Sequence, residues 1–313
     1  MADGPALRGR VLRGINTIYE VLTPTGTLRC RIKGKVLQTA APSYNPIAAG
    51  DAVEVIPDPL SPGTGMITSL VDRRTSLARW NKQGRSPQVI AANADLAVCV
   101  TSTQSPPFRP RFIDRLAAAA EDGGLEVLIV VNKSDLPADR GELARLDDFR
   151  RIGYRVHRCS AATGAGIPWL RRSLRGRTAV FVGQSGVGKS SVLNAISPAL
   201  GQRVGDVSMK HNRGVHTTVH AALFITAEGL ELIDTPGIRE IELAGIELYD
   251  LAFRFREFTV FARSCEVGSC LHEDEEGCAV RAAAEAGRIH PDRYESYLRV
   301  LSELRDSNRA AHG

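Results

Sequence analysis

No stretch of this chain stays apolar over the roughly 18–20 residues that a membrane-spanning helix requires. The opening residues, Met1-Ala-Asp-Gly-Pro5, carry an acid and lack the apolar segment of a secretory signal. Cysteine is sparse, six in 313 residues. Without an export signal, the expectation is reduced thiols or a metal site rather than disulfides, and a cytoplasmic protein. What is present suffices for real cores: hydrophobic residues make up 43%, and the length suits two or three domains.

The net charge of +5 is unevenly placed. Residues 1–90 hold 12 Lys/Arg and 6 Asp/Glu, the remainder 28 and 29. The basic excess therefore lies in the N-terminal quarter, where a polyanion would dock.

Residues 9–77 read as about five short strands separated by Pro/Gly/Asn turns, which suits a small barrel; among small barrels the OB-fold is the expectation. Within it, Thr27–Lys33 alternates apolar and basic residues. Arg29, Arg31, Lys33 and Lys35 then fall on one face, a surface suited to phosphates. Residues 73–85 are basic and poorly periodic and read as a linker. Trp80 there could stack an RNA base or pack between domains.

From Val89 the texture changes to alternating strands and helices, the signature of a parallel α/β sheet. A strand from Thr178 runs into Gly183-Gln184-Ser185-Gly186-Val187-Gly188-Lys189-Ser190-Ser191, followed by a helical segment from Val192. Strand, glycine-rich loop and helix are the context of a phosphate-binding P-loop. The backbone N–H groups and helix N-terminus would cradle phosphates, Lys189 would reach the β- and γ-phosphates, and Ser190 would ligate magnesium.

Asn132-Lys133-Ser134-Asp135 ends another apolar strand, where α/β sheets bind ligands. A carboxylate there can accept from guanine N1–H and the exocyclic amine; adenine offers no such pair. Ser160-Ala161-Ala162, one strand later, would offer backbone N–H to guanine O6. After the P-loop, residues 207–219 form a polar stretch whose Thr217 and Thr218 could reach magnesium. Asp234-Thr-Pro-Gly237 ends a further strand, with Asp234 behind the metal and the Gly237 N–H placed to sense the γ-phosphate.

Cys265-x4-Cys270-x-His272-x5-Cys278 gathers three thiols and one imidazole within 14 residues, the ligand set of a closed, structural zinc site. Residues 251–264 and 279–304 read as helical, with His290-Pro291 breaking the latter in two. The expected divisions are 1–78 (barrel), 79–90 (basic linker), 91–246 (nucleotide domain) and 247–313 (helical zinc-binding domain).

In Ras-like GTPases the P-loop precedes the switch threonine, Asp-x-x-Gly, Asn-Lys-x-Asp and Ser-Ala motifs. Here Asn132–Asp135 and Ser160–Ala162 come first. The set is complete but cyclically permuted. With a basic barrel before it and a Cys3His cluster behind, the whole chain resembles the ribosome small-subunit-dependent GTPase A family. The resemblance implies a bacterial factor acting late in small-subunit maturation; a monomer is the expectation, since nothing in the sequence suggests a dimer. Such a factor hydrolyses GTP to GDP weakly alone and faster on the 30S particle, and contacts 16S rRNA through the barrel and zinc domain. The family often carries Gly-Arg-His-Thr-Thr in the switch; this chain has Val215 in place of the arginine, retaining His216, Thr217 and Thr218, with Thr218 favoured as magnesium ligand.

Ile238 stands where Ras-like enzymes have a water-orienting glutamine, which implies slow intrinsic hydrolysis. His216 is the candidate for placing the water on the ribosome. Gly186 stands where many potassium-activated GTPases have asparagine. Because the zinc region follows Gly237 directly, a γ-phosphate-driven shift could move it. Two other classes compete. One is an ATP-dependent P-loop enzyme such as a kinase, which Asp135 argues against. The other is a nucleic-acid-binding module with a vestigial nucleotide site, which intact Lys189, Ser190 and Asp234 argue against.

Overall fold

A computed structural model describes residues 5–15, 17–33, 44–200, 221–238 and 240–312 of the chain, with side chains as far as residue 307. Five strands, β1 (Leu7–Ile15), β2 (Ile18–Thr23), β3 (Gly26–Ile32), β4 (Ala52–Pro57) and β5 (Thr64–Leu70), pair in the order β1-β2-β3-β5-β4. β4 closes back onto β1. This is a closed barrel of the OB type. The period-2 pattern sets its two surfaces: Val11, Val21, Leu28, Cys30, Val53, Val55 and Ile67 fill the interior, while Arg29 and Arg31 face outward on β3.

The segment expected to be a linker is a hairpin instead. β6 (Ser76–Asn81) and β7 (Ser86–Ala92) pair antiparallel. Its alternation is hidden in the sequence because it is buried unevenly: Leu77, Gln88, Val89, Ala91 and Ala92 are covered, Arg79 is half-buried, and Lys82 and Arg85 stand exposed in the turn. Asn81 Oδ1 accepts from Gly84 N at 3.0 Å and shapes the turn. The backbone N–H of half-buried Trp80 donates to Glu242 O at 2.8 Å, tying the hairpin to the segment after Gly237.

Six further strands, β8 (Leu96–Ser102), β9 (Glu126–Asn132), β10 (Arg155–Arg158), β11 (Thr178–Gly183), β12 (Ala222–Ile225) and β13 (Glu231–Asp234), form a sheet in the order β10-β9-β8-β11-β13-β12. All pair parallel except β12 with β13. The two halves of the permuted chain meet where β11 pairs with β8. Helix α1 (Pro110–Asp122) lays Ile113, Leu116, Ala117 and Ala120 on one face of the sheet. Helices α3 (Ile167–Ser173) and α4 (Lys189–Ile196) cover the other. α2 (Arg140–Arg151) begins with a capping box between Asp139 and Glu142.

The barrel and this sheet are continuous, since β1 also pairs with β12 at Arg13 and Ala222. Arg10 on β1 reaches across to Glu231 and Thr178. The C-terminal unit contains a 3-10 turn (Leu248–Arg254), α5 (Phe258–Ala262), α6 (Ala279–Glu285) and α7 (Pro291–His312). The break before Pro291 falls where the sequence places it. Phe255, Phe258, Tyr297 and Leu301 form its core, and Ala118 of α1 packs into it. No helix among the described residues is long and apolar enough to cross a membrane.

Candidate nucleotide site and metal cluster

The carboxyl ends of β11, β9 and β13 bring three of the sequence motifs to one edge of the sheet, as parallel pairing requires. Gly183 passes so close to β8 that a Cβ on it would lie 2.6 Å from Val100 O. Gly188, at φ +86°, leaves room for Asn132; a Cβ there would lie 2.4 Å from Asn132 Nδ2. That room is used. Buried Asn132 donates from Nδ2 to Val187 O at 3.0 Å and accepts from Ala161 N at 3.0 Å. It thereby fastens the P-loop to the Ser160–Ala162 turn.

Lys133 donates from Nζ to Gly186 O at 2.8 Å and to Ser105 O. Asp135 is exposed beyond it. The Ser160 hydroxyl hydrogen-bonds the Asp135 carboxylate and holds its pKa below the ordinary value. Buried Ser160 also accepts from Thr163 N at 3.2 Å, and Ala162 is exposed beside it. The Ser105–Pro106 stretch is a wall that sequence reading missed. It belongs to no motif, and only the fold lays it against Gly186, whose Cβ would come 3.5 Å from Pro106.

At the phosphate side, buried Lys189 forms an ion pair with Asp234. Burial raises the Asp234 pKa, and the Lys189 ammonium opposes that rise. Ser190 and Ser191 are exposed on the first turn of α4. A Cβ on Gly237 would sit 3.9 Å from Ser185, so the Asp234–Gly237 turn lies against the P-loop. Ile238 is buried in the core, with no polar group to offer water. His216, Thr217 and Thr218 lie outside the described residues, as does Lys35.

In the C-terminal unit, the ligand atoms of Cys265, Cys270, His272 and Cys278 all lie within 4.8 Å of one another. His272 Nδ1 is 3.5 Å from Sγ of both Cys265 and Cys278. Tetrahedral zinc with bonds of about 2.3 Å to sulfur and about 2.0–2.1 Å to nitrogen would separate S and N by about 3.6 Å. The cluster could hold such an ion. Burial lowers the His272 pKa, favouring the neutral imidazole that a metal needs. Tyr294 and Tyr297 donate to the carbonyls of His272 and Leu271 at 2.7 and 2.8 Å, clamping the ligand loop to α7.

Comparison with known proteins places this architecture. The RsgA GTPase family model matches residues 70–244. The small ribosomal subunit biogenesis GTPase RsgA of Chlorobaculum tepidum is 41% identical over 307 residues, spanning 95% of this chain and 98% of that one. The same-named protein of Bacteroides fragilis is 36% identical over 313 residues, spanning 98% and 100%. Among solved structures, YjeQ from Thermotoga maritima superposes with a TM-score of 0.71 at 31% identity, covering 96% of this chain and 99% of that one. YloQ, described as a circularly permuted GTPase, gives 0.67 at 27% identity, covering 96% of each. With its motifs permuted in sequence but assembled at one sheet edge, the chain belongs to the RsgA GTPase family and is a GTP hydrolase.

Proposed function

We propose that this GTPase acts in small ribosomal subunit biogenesis as a switch that binds the 30S particle, contacts 16S rRNA through its barrel, and turns over faster when bound. The observation that carries the reading is the continuous sheet. The strand bearing outward Arg29 and Arg31 belongs to the same hydrogen-bonded sheet as β13, which ends in Asp234. A polyanion held on the barrel is thus connected to the turn that faces the γ-phosphate. The relatives' names, which specify small-subunit biogenesis, agree with this.

In this reading Asp135 accepts two hydrogen bonds from guanine, and the Ser160–Ala162 turn lies beside the base. Asn132 and Lys133 hold the P-loop rather than read the base. On GTP binding, Lys189 turns from Asp234 to the phosphates, and the Gly237 N–H meets the γ-phosphate. Magnesium, held by Ser190 and Thr218, would neutralise charge on the phosphate oxygens. His216 places the water in the ribosome-bound enzyme.

Zinc in the Cys3His cluster would be structural, its four ligands leaving no open position. The purified protein is expected to contain one zinc per chain by metal analysis. Cys270→Ser or strong chelation should lower the melting temperature while GDP binding persists. A zinc-free protein that melts as the native one does would contradict this role.

The partner is tested by sedimentation with 30S or 50S subunits and a non-hydrolysable GTP analogue. Retention on 30S alone is expected, weakening steeply with salt as phosphate contacts require and reduced by Arg29→Ala with Arg31→Ala. Equal retention on 50S, or none on either, would overturn it.

A further inference from the structure

Hydrolysis needs a polar group beside the terminal phosphate to orient the attacking water. The Asp234–Ile238 segment does not supply one from its side chains. The Thr235 hydroxyl is committed to Phe181 O at 2.7 Å, Asp234 stands behind the magnesium in the proposed reading, and Ile238 is packed in the core.

The P-loop has two ends. Its inner part is tied to the base side, where Val187 O accepts from Asn132 and Gly186 O from Lys133. Its outer turn faces Gly237, and both Cα and Cβ of Ser185 lie 3.9 Å from where a Gly237 Cβ would be. Ser185 is exposed, and its hydroxyl has no hydrogen-bond partner among the described residues. Neighbouring Gln184 instead lines a cavity of about 970 Å³ between α1, the hairpin and α7.

We propose that Ser185 is a catalytic residue of this GTPase, its hydroxyl donating to a γ-phosphate oxygen while accepting a hydrogen bond from the attacking water. A hydroxyl has one donor and two acceptor sites, so it can do both at once. In the step, the water oxygen bonds to the γ-phosphorus as the bond to the β–γ bridging oxygen breaks. GDP leaves with that electron pair, and the water's proton ends on the released phosphate. Ser185 neither gains nor loses a proton overall. This role belongs to the basal reaction, apart from the ribosome-bound role of His216. GDP has no γ-phosphate, so Ser185 should act on turnover and leave GDP affinity alone.

The test is single-turnover GTP hydrolysis without ribosomes, with GDP affinity measured in parallel, for Ser185→Ala and Ser185→Thr. Ser185→Ala should slow hydrolysis by about 100-fold, the scale of losing one oriented donor. Ser185→Thr, which keeps the hydroxyl, should recover most of the rate, with GDP affinity in both variants within about twofold of native. Three results would overturn the proposal: native hydrolysis in Ser185→Ala, equal loss of rate and GDP affinity, or a threonine variant as slow as the alanine one.

Discussion

Asp135→Asn should turn this enzyme from a GTPase into a xanthosine triphosphatase. In the proposed reading the carboxylate accepts from guanine N1–H and the exocyclic amine; an amide can accept from N1–H but meets the amine with a second donor. Losing the charged hydrogen bond to the amine, about 1.5–3 kcal/mol, and weakening the one to N1–H predicts a fall in kcat/KM for GTP of at least about 10–10²-fold. Xanthine carries an oxygen where guanine carries the amine, so the asparagine N–H gains a partner and XTP turnover should rise. Because Asp135 sits on an exposed turn and the chain around Asn132 is buried, the fold should tolerate the change. Recovered XTP hydrolysis then separates altered recognition from damage. Steady-state kinetics with both nucleotides decide it, and unchanged GTP kinetics would remove Asp135 from base recognition.

The largest stability effect is expected far from the nucleotide. Asp114 on α1 is fully buried between two arginines, accepting from Arg293 at 3.0 Å and from Arg145 at 3.3 Å. Arg293 in turn donates twice to Glu257 at 2.7 Å and lies 4.7 Å over the Phe255 ring. Burial pulls the Arg293 pKa down, but Asp114 and Glu257 more than reverse this and hold it well above its ordinary value. Replacing Asp114 with alanine would leave two buried guanidinium groups short of a counter-charge. Breaking a buried pair this way costs about 3–5 kcal/mol, which at about 2–4 °C per kcal/mol lowers the melting temperature by roughly 10 °C. Glu295→Ala, which removes only exposed partners of Arg111 and Arg299, should cost under about 1 kcal/mol. Equal melting shifts for the two variants would refute the assignment.

This cluster also changes how the C-terminal unit relates to the switch. The sequence suggests a zinc domain attached through the segment after Gly237 and moved by it. In the fold, α7 is pinned to α1 by Asp114 and Arg293, 179 residues apart, and by Arg115 with Glu303. α1 follows the Ser105–Pro106 wall of the nucleotide site, so the C-terminal unit has a second, non-covalent link to that site.

Much of this was legible in the residues. The P-loop, Asn132–Asp135 and Asp234–Gly237 are readable because backbone geometry and phosphate chemistry restrict which residue types can occupy them. The barrel strands are readable because one face is buried and the other wet, as on β3 with Cys30 inside and Arg31 outside. The hairpin was missed because Arg79, Lys82 and Arg85 obscure its alternation, and its turn lacks a two-residue Asn-Gly signal. The Asp114–Arg293 network was invisible because a charged residue on a helix reads as solvated until the partner helix is placed over it. The motif assigns Asn132 to the nucleotide; only the fold adds its two hydrogen bonds, to Val187 and Ala161, which brace the loops surrounding the site.

The most direct test is GTP hydrolysis by the purified protein alone, with 30S and with 50S subunits, at physiological salt. The account predicts slow turnover alone, large stimulation by 30S only, and loss of that stimulation in His216→Ala with basal turnover retained. Tight GTP binding with the same slow turnover whether or not 30S is present would contradict it.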